Sequence, residues 1–176
     1  ATAARLVRRL KEGNHTITVA ESCTGGLLAS AFTDIAGASQ WFRQSWVTYS
    51  NDAKIKELGV TEEALNRRGA VSAEVAIQMA QGARVKADAS IALSITGIAG
   101  PSNDGSNKKI GTVYVGIASE NWANSDITEI GGNRAENKIA FVHFALLTAI
   151  KYWDRAMAKA EVARKEAESR VARSEE

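Results

Sequence analysis

The sequence holds one cysteine, one proline and two histidines, and each scarcity removes a class of chemistry. A lone Cys23 excludes an internal disulfide and any zinc site built from several cysteines. With only His15 and His143 available, a Ser-His-Asp arrangement is improbable: His15 opens a strand, at the end away from the Ser22 turn, and His143 lies in the last helix. Two histidines and one cysteine also make a poor metal set. No apolar run approaches the roughly 18–20 residues that span a bilayer. The first residues, up to Gly13, carry positive charge without an apolar core behind it, so a signal peptide is not expected. A soluble, cytoplasmic protein that does not engage membranes is the expectation. Charge of one sign is scarce too: 22 basic against 20 acidic residues leave +2, too little for a surface that coats nucleic acid.

What is present fits one globular domain, with 176 residues and 45% apolar types. Residues 3–12 form an amphipathic helix with Leu6, Val7 and Leu10 on one side. The β-branched run His15–Ala20 reads as a strand, and Leu27 starts a helix after Gly25 and Gly26. Ser45–Ser50 reads as a second strand, Asn51 as the cap of a short helix, and Thr61 and Ser72 as the starts of two more. Ala89–Thr96 is apolar or small throughout, as in a strand covered on both faces. After a loop from Gly97 to Gly111 come strands Thr112–Ser119 and Asp126–Ile130, a terminal hairpin. From Asn133 onward neither Gly nor Pro interrupts a long helix. Strands alternating with helices predict a three-layer α/β/α fold with a mixed, mostly parallel sheet and a long C-terminal helix.

Within that helix Ile139, Val142, Leu146, Ile150, Trp153 and Met157 recur at helical spacing and are expected on the sheet. Residues 1–157 are thus read as the domain. Residues 158–176, with five basic and five acidic side chains, are read as a charged helical extension, solvated or a weak coiled-coil arm. That projecting arm, with Trp41 as an exposed aromatic, points to a homodimer or larger homo-oligomer.

The strongest local signal is Ala20-Glu21-Ser22-Cys23-Thr24-Gly25-Gly26, between a strand and a helix. In open α/β sheets ligands bind beyond the carboxyl ends of strands, where helix N–H groups hold an anion or a developing oxyanion. Ser22 or Thr24 serves equally well there as a plain helix cap, and spacing alone does not separate the two roles. Without a histidine, the activator for a serine is a lysine with a depressed pKa. Lys54 stands one turn into the helix after Tyr49, at a second strand end, although a solvated surface lysine has the same spacing. Gly97 and Gly100, in the loop to Ser106, suit a backbone cradle around a polar ligand, without a dinucleotide or Walker pattern. Arg134, after Gly131-Gly132-Asn133, is a phosphate clamp or an ordinary first-turn residue.

Together these segments resemble the CinA C-terminal family. The matching stretches are Val19–Ser30, Thr33–Phe42, Val47–Lys54, Gly69–Ala83 and Ser94–Pro101, in family order. The resemblance implies hydrolysis of the carboxamide of nicotinamide mononucleotide, giving nicotinic acid mononucleotide and ammonia, without metal or cofactor, in pyridine-nucleotide salvage. It implies Ser22 as nucleophile, with Lys54 and Tyr49 moving its proton. Backbone around Cys23, Thr24, Gly25 and Gly26 would hold the oxyanion, and Asn51, Gly97, Gly100 and Arg134 would line the substrate. Members of the family it resembles read Gly-Asp-Arg with a further Arg four residues on; here Asn133, Arg134 and Lys138 stand at these places, and Lys109-Ile110-Gly111 stands where they tend to carry Pro-Val-Gly, which leaves that loop less fixed. The alternative implied is a catalytically weak or inactive nucleotide-binding or protein-interaction module.

Overall fold

The computed structural model describes residues 1–176. Five strands line up in the order β2-β1-β3-β4-β5: β1 Ile17–Glu21, β2 Phe42–Val47, β3 Ile91–Gly97, β4 Thr112–Ser119 and β5 Ala123–Glu129. β2, β1 and β3 run parallel; β4 is antiparallel to both β3 and β5, so β4 alone is reversed. The sheet is therefore mixed and mostly parallel. Helices cover both faces, giving three layers with a long C-terminal helix.

Strand alternation sorts side chains to the two faces. Ile17, Val19, Ile91, Leu93, Ile95, Val113, Val115 and Ile117 pack into one cluster with helix α1 (Thr2–Glu12), α2 (Leu27–Thr33) and α6 (Arg134–Ser174). On the other face Ala20, Ala92 and Ala118 meet α3 (Asn51–Leu58), α4 (Glu62–Arg68) and α5 (Ala73–Ala87). Small residues there let α5 lie close to the strands. A Cβ on Gly116 would stand 2.3 Å from the Ala76 carbonyl oxygen, and Ser94 Oγ donates to that oxygen at 2.5 Å. A Cβ on Gly82 would stand 1.8 Å from the Leu58 carbonyl oxygen, so α5 and α3 touch backbone to side there.

Several expectations shift. β2 starts at Phe42, not Ser45, and ends at Val47. Trp41 already accepts from the Ile17 N–H, and Thr48 makes the last ladder bond to Glu21 before the chain turns away. Ser50, not Asn51, caps α3: its side chain accepts from the Ala53 N–H at 3.1 Å, and Asn51 is the first helical residue. β5 pairs from Ala123, since a tighter turn than expected joins it to β4. Trp41 is 2% exposed, edge-on to Phe32, and offers no surface. In α6, Val142, Leu146, Ile150 and Trp153 are buried with Phe141, Ala145 and Ala149, but Ile139 is 64% exposed and Met157 is also exposed. Both fall at the margin of the buried arc of the helix.

α6 has 41 residues, so it is about 60 Å long. Beyond Trp153 none of its residues is buried, and Arg164 and Lys165 pair with Glu161 while Arg164 also pairs with Glu168. No helix is long and apolar enough to cross a membrane.

The close α3–α5 contact generates a test. Gly82→Ala should lower unfolding free energy by about 2 kcal/mol or more, because backbone must move to admit the methyl group. Gly131→Ala, which meets nothing within 4 Å, should stay within about 0.5 kcal/mol. Urea unfolding of both variants checks the pair.

Candidate active site

β1 and β3 are adjacent and parallel, yet the chain goes from β1 to β2 on one side before it returns to β3 on the other. Such a switch opens a crevice at the carboxyl edge. Three chain segments leave the sheet there: Ser22–Gly26 after β1, Thr48–Ser50 after β2 and Ile98–Pro101 after β3. Because β5 runs in the same direction as β3, the first turn of α6 arrives at this edge as well.

Ser22 sits in the turn between β1 and α2, its N–H bonded to the Ile95 carbonyl at 3.1 Å. Gly25 and Gly26 follow with φ of +59° and +107°. A side chain at Gly25 would meet no atom within 4 Å; the requirement there is the left-handed backbone that completes the turn. Glu21, fully buried, fixes the other side of the turn. Its carboxylate accepts from Thr24 Oγ1 at 2.6 Å, from the Leu28 N–H at 2.8 Å and from the Ala29 N–H at 3.1 Å. The positive end of α2 thus already faces an anion of the protein itself. What stays open are the N–H groups of Cys23, Thr24 and Gly26, which donate to no protein oxygen.

Lys54 is the largest electrostatic fact of the site. The α3 helix buries it to 1% exposure, and its ammonium donates to Thr48 O at 2.8 Å, Ser22 Oγ at 3.1 Å and Tyr49 O at 3.4 Å. Burial disfavours the charged form and pulls the pKa from 10.5 down to about 8, with only the neighbouring Cys23 pushing the other way. Cys23 itself is buried, and burial raises its thiol to about 11, against the pull of its own and Gly97 backbone groups, Arg134 and Lys54. The thiol is therefore protonated at neutral pH and a poor nucleophile.

Tyr49 differs from what the sequence suggested. The residue is 60% exposed, and its hydroxyl accepts from Arg134 Nη2 at 3.0 Å; only its backbone reaches Lys54. Arg134 also donates to Gly100 O at 2.6 Å, spanning the mouth between β2–α3 and the Gly97–Pro101 loop. Gly100 holds φ +89° with Ile110 against it. Asn51 is exposed at the start of α3, and its side chain makes no hydrogen bond to these groups. Asn133 caps α6 in a reciprocal pair with Glu136, so an asparagine at this place leaves the helix start intact. His15 lies at the opposite edge, against Trp153 at 4.8 Å, and His143 is exposed. The role of Glu21 has a signal in the sequence: a carboxylate that closes an apolar strand just before a hydroxyl.

These features define an open three-layer α/β protein with a serine–lysine pair at the carboxyl edge of its parallel strands. A family model described as the CinA C-terminal domain matches residues 1–153. The chain belongs to that family. It is 45% identical over 161 residues to a CinA-like protein of Chlorobium limicola, covering 89% of this chain and 38% of that protein. It is 43% identical over 143 residues to the nicotinamide-nucleotide amidohydrolase PncC of Enterobacter agglomerans, covering 81% of this chain and 87% of that one. Of the curated CinA-like relatives it matches, the chain spans about a third of the length. Among solved structures, the competence/damage inducible protein CihA of Agrobacterium tumefaciens superposes with a TM-score of 0.81 at 39% identity, covering 85% and 92% of the two chains. The CinA superfamily protein of Escherichia coli gives 0.81 at 33% identity, over 85% and 88%.

A buried lysine with a depressed pKa carries a stability signature. Below pH 8 the folded and unfolded chains both hold the proton and the full burial penalty applies. Between about 8 and 10.5 the unfolded chain binds more protons, so the penalty is lost as pH rises. Lys54→Met should therefore gain stability relative to the parent protein at pH 7. That difference should shrink by about 2 kcal/mol at pH 10, read by urea unfolding at both pH values.

Proposed function

We propose that this protein hydrolyses the carboxamide of nicotinamide mononucleotide to nicotinic acid mononucleotide and ammonia. The observation that carries the reading is the buried Lys54 Nζ 3.1 Å from Ser22 Oγ. The relative named as a nicotinamide-nucleotide amidohydrolase, matched over most of its length, supports the choice of substrate. As part of the same proposal, the protein acts in pyridine-nucleotide salvage in the cytoplasm.

A serine hydroxyl attacks an amide only if its proton has somewhere to go. Neutral Lys54 takes it as Ser22 Oγ bonds to the carboxamide carbon. The oxygen of the tetrahedral intermediate meets the free N–H groups of Cys23, Thr24 and Gly26. Collapse breaks the C–N bond, and the Lys54 ammonium returns a proton to the departing nitrogen. Water, deprotonated in turn by Lys54, then releases the acid from Ser22. With a pKa of about 8, about one Lys54 in ten is neutral at pH 7, a cost of about 1.4 kcal/mol. At the ordinary 10.5 the same step would cost about 5 kcal/mol. Arg134 and the backbone of Gly97–Gly100 take the ribose-phosphate end, and a guanidinium suits a phosphate through two parallel bonds.

Incubation with nicotinamide mononucleotide should release ammonia, with Ser22→Ala and Lys54→Ala each slower by ~10³-fold or more. The kcat/KM should rise with pH through an inflection near 8, where Lys54 loses its proton. Binding of the nucleotide without turnover would instead assign the protein to a nucleotide-binding module. A rate flat from pH 6 to pH 9 would remove Lys54 as base.

A further inference from the structure

Carried one turn back from Phe141, the buried stripe of α6 falls on residue 137, where a core helix would place an apolar side chain. The chain has an asparagine there, 0% exposed. A buried amide stands only when both ends are bonded, since each orphaned group costs about 1–3 kcal/mol. Both ends are bonded, and to backbone on two different loops. Nδ2 donates to Ala99 O at 2.9 Å, and Oδ1 accepts from the Gly132 N–H at 3.0 Å. Neither backbone group has another protein partner. The fit is close, because a Cβ on Gly132 would lie 3.1 Å from Asn137 Oδ1.

One turn earlier on the same helix, exposed Arg134 reaches the next carbonyl of that loop, Gly100 O, and Tyr49 Oη. Asn137 therefore fixes the spacing between the first turn of α6 and the Ala99–Gly100 loop, and this spacing decides where the guanidinium stands. Ser22 and Lys54 hang from β1 and α3 and share no bond with Asn137.

We propose that Asn137 is a positioning residue that sets Arg134 for the phosphate of the substrate, and so gives the site its preference for a nucleotide over the bare nucleoside. The inference rests on the amidase reading above and concerns only its phosphate end. A misplaced guanidinium weakens phosphate binding but leaves the acyl chemistry alone, so the loss belongs in KM and not in kcat.

The experiment compares nicotinamide mononucleotide with its dephosphorylated form, nicotinamide riboside, on the parent protein, Asn137→Leu and Asn137→Asp. The leucine fills the volume and removes both bonds; the aspartate keeps the acceptor for Gly132 and loses the donor to Ala99. Asn137→Leu should raise KM for the nucleotide about tenfold or more, with kcat within about threefold and KM for the riboside unmoved. Asn137→Asp should shift KM the same way by a smaller factor. An unchanged KM for the nucleotide, an equal rise for both substrates, or a fall in kcat alone overturns the proposal. So does loss of fold in both variants by circular dichroism, which would make Asn137 structural only. No ammonia from the parent protein with either substrate would instead refute the amidase reading. Calorimetric titration of the same two ligands then still decides whether Asn137 governs the phosphate preference.

Discussion

The contact on which the site depends is a lysine ammonium taken out of water and held against a serine hydroxyl. Lys54 enters the interior because α3 starts directly after β2, one helical turn from a strand end that abuts β1. Its ammonium meets two backbone carbonyls and Ser22 Oγ, and no carboxylate offsets its charge. A carboxylate partner would favour the charged form and hold the pKa up; carbonyls and a hydroxyl solvate the ammonium only in part. Burial thus leaves a stability penalty at neutral pH and an amine that gives up its proton more readily than a solvated lysine.

The same economy governs the surrounding turn. The one buried carboxylate nearby, Glu21, spends its acceptors on Thr24 and on the first N–H groups of α2. It holds the strand–helix turn in shape while leaving the N–H groups of Cys23, Thr24 and Gly26 free. The positive end of α2 is thus satisfied by a carboxylate of the protein itself. Across the crevice, α6 supplies an exposed arginine and a buried asparagine one turn apart, the first facing solvent and the second fastening two loops. Reversal of β4 is what brings α6 to this edge, since β5 then runs out in the same direction as β1 and β3.

Periodicity made the layers legible. The apolar run of β3, the caps at Thr61 and Ser72 and the uninterrupted α6 stand as the residue pattern requires. Ser22 could be named because it follows a strand end and Lys54 because it stands one turn into the helix after another, and the resemblance joined them; their 3.1 Å contact was beyond any local pattern. Half-exposed edges were harder to read. β2 is an edge strand whose first residues look like a turn, and Ser50 and Asn51 are both good caps, so only the bond to Ala53 separates them. Trp41 looked like surface because its partner Phe32 is distant along the helix–turn path. Tyr49 is the instructive case: adjacency to Lys54 in sequence suggested a side-chain relay, while the fold turns its hydroxyl to Arg134, 85 residues away. Asn137 was invisible for a related reason, as a polar residue in an apolar stripe explains itself only through the two loops it joins.

The most direct measurement is the titration of Lys54 itself, followed by NMR of the labelled side chain in the folded protein with Lys54→Arg to assign the signal. The account predicts that the ammonium loses its proton with a pKa near 8. A value near 10.5, the ordinary lysine value, would contradict it, because a lysine so fully charged at neutral pH could not take the proton from Ser22.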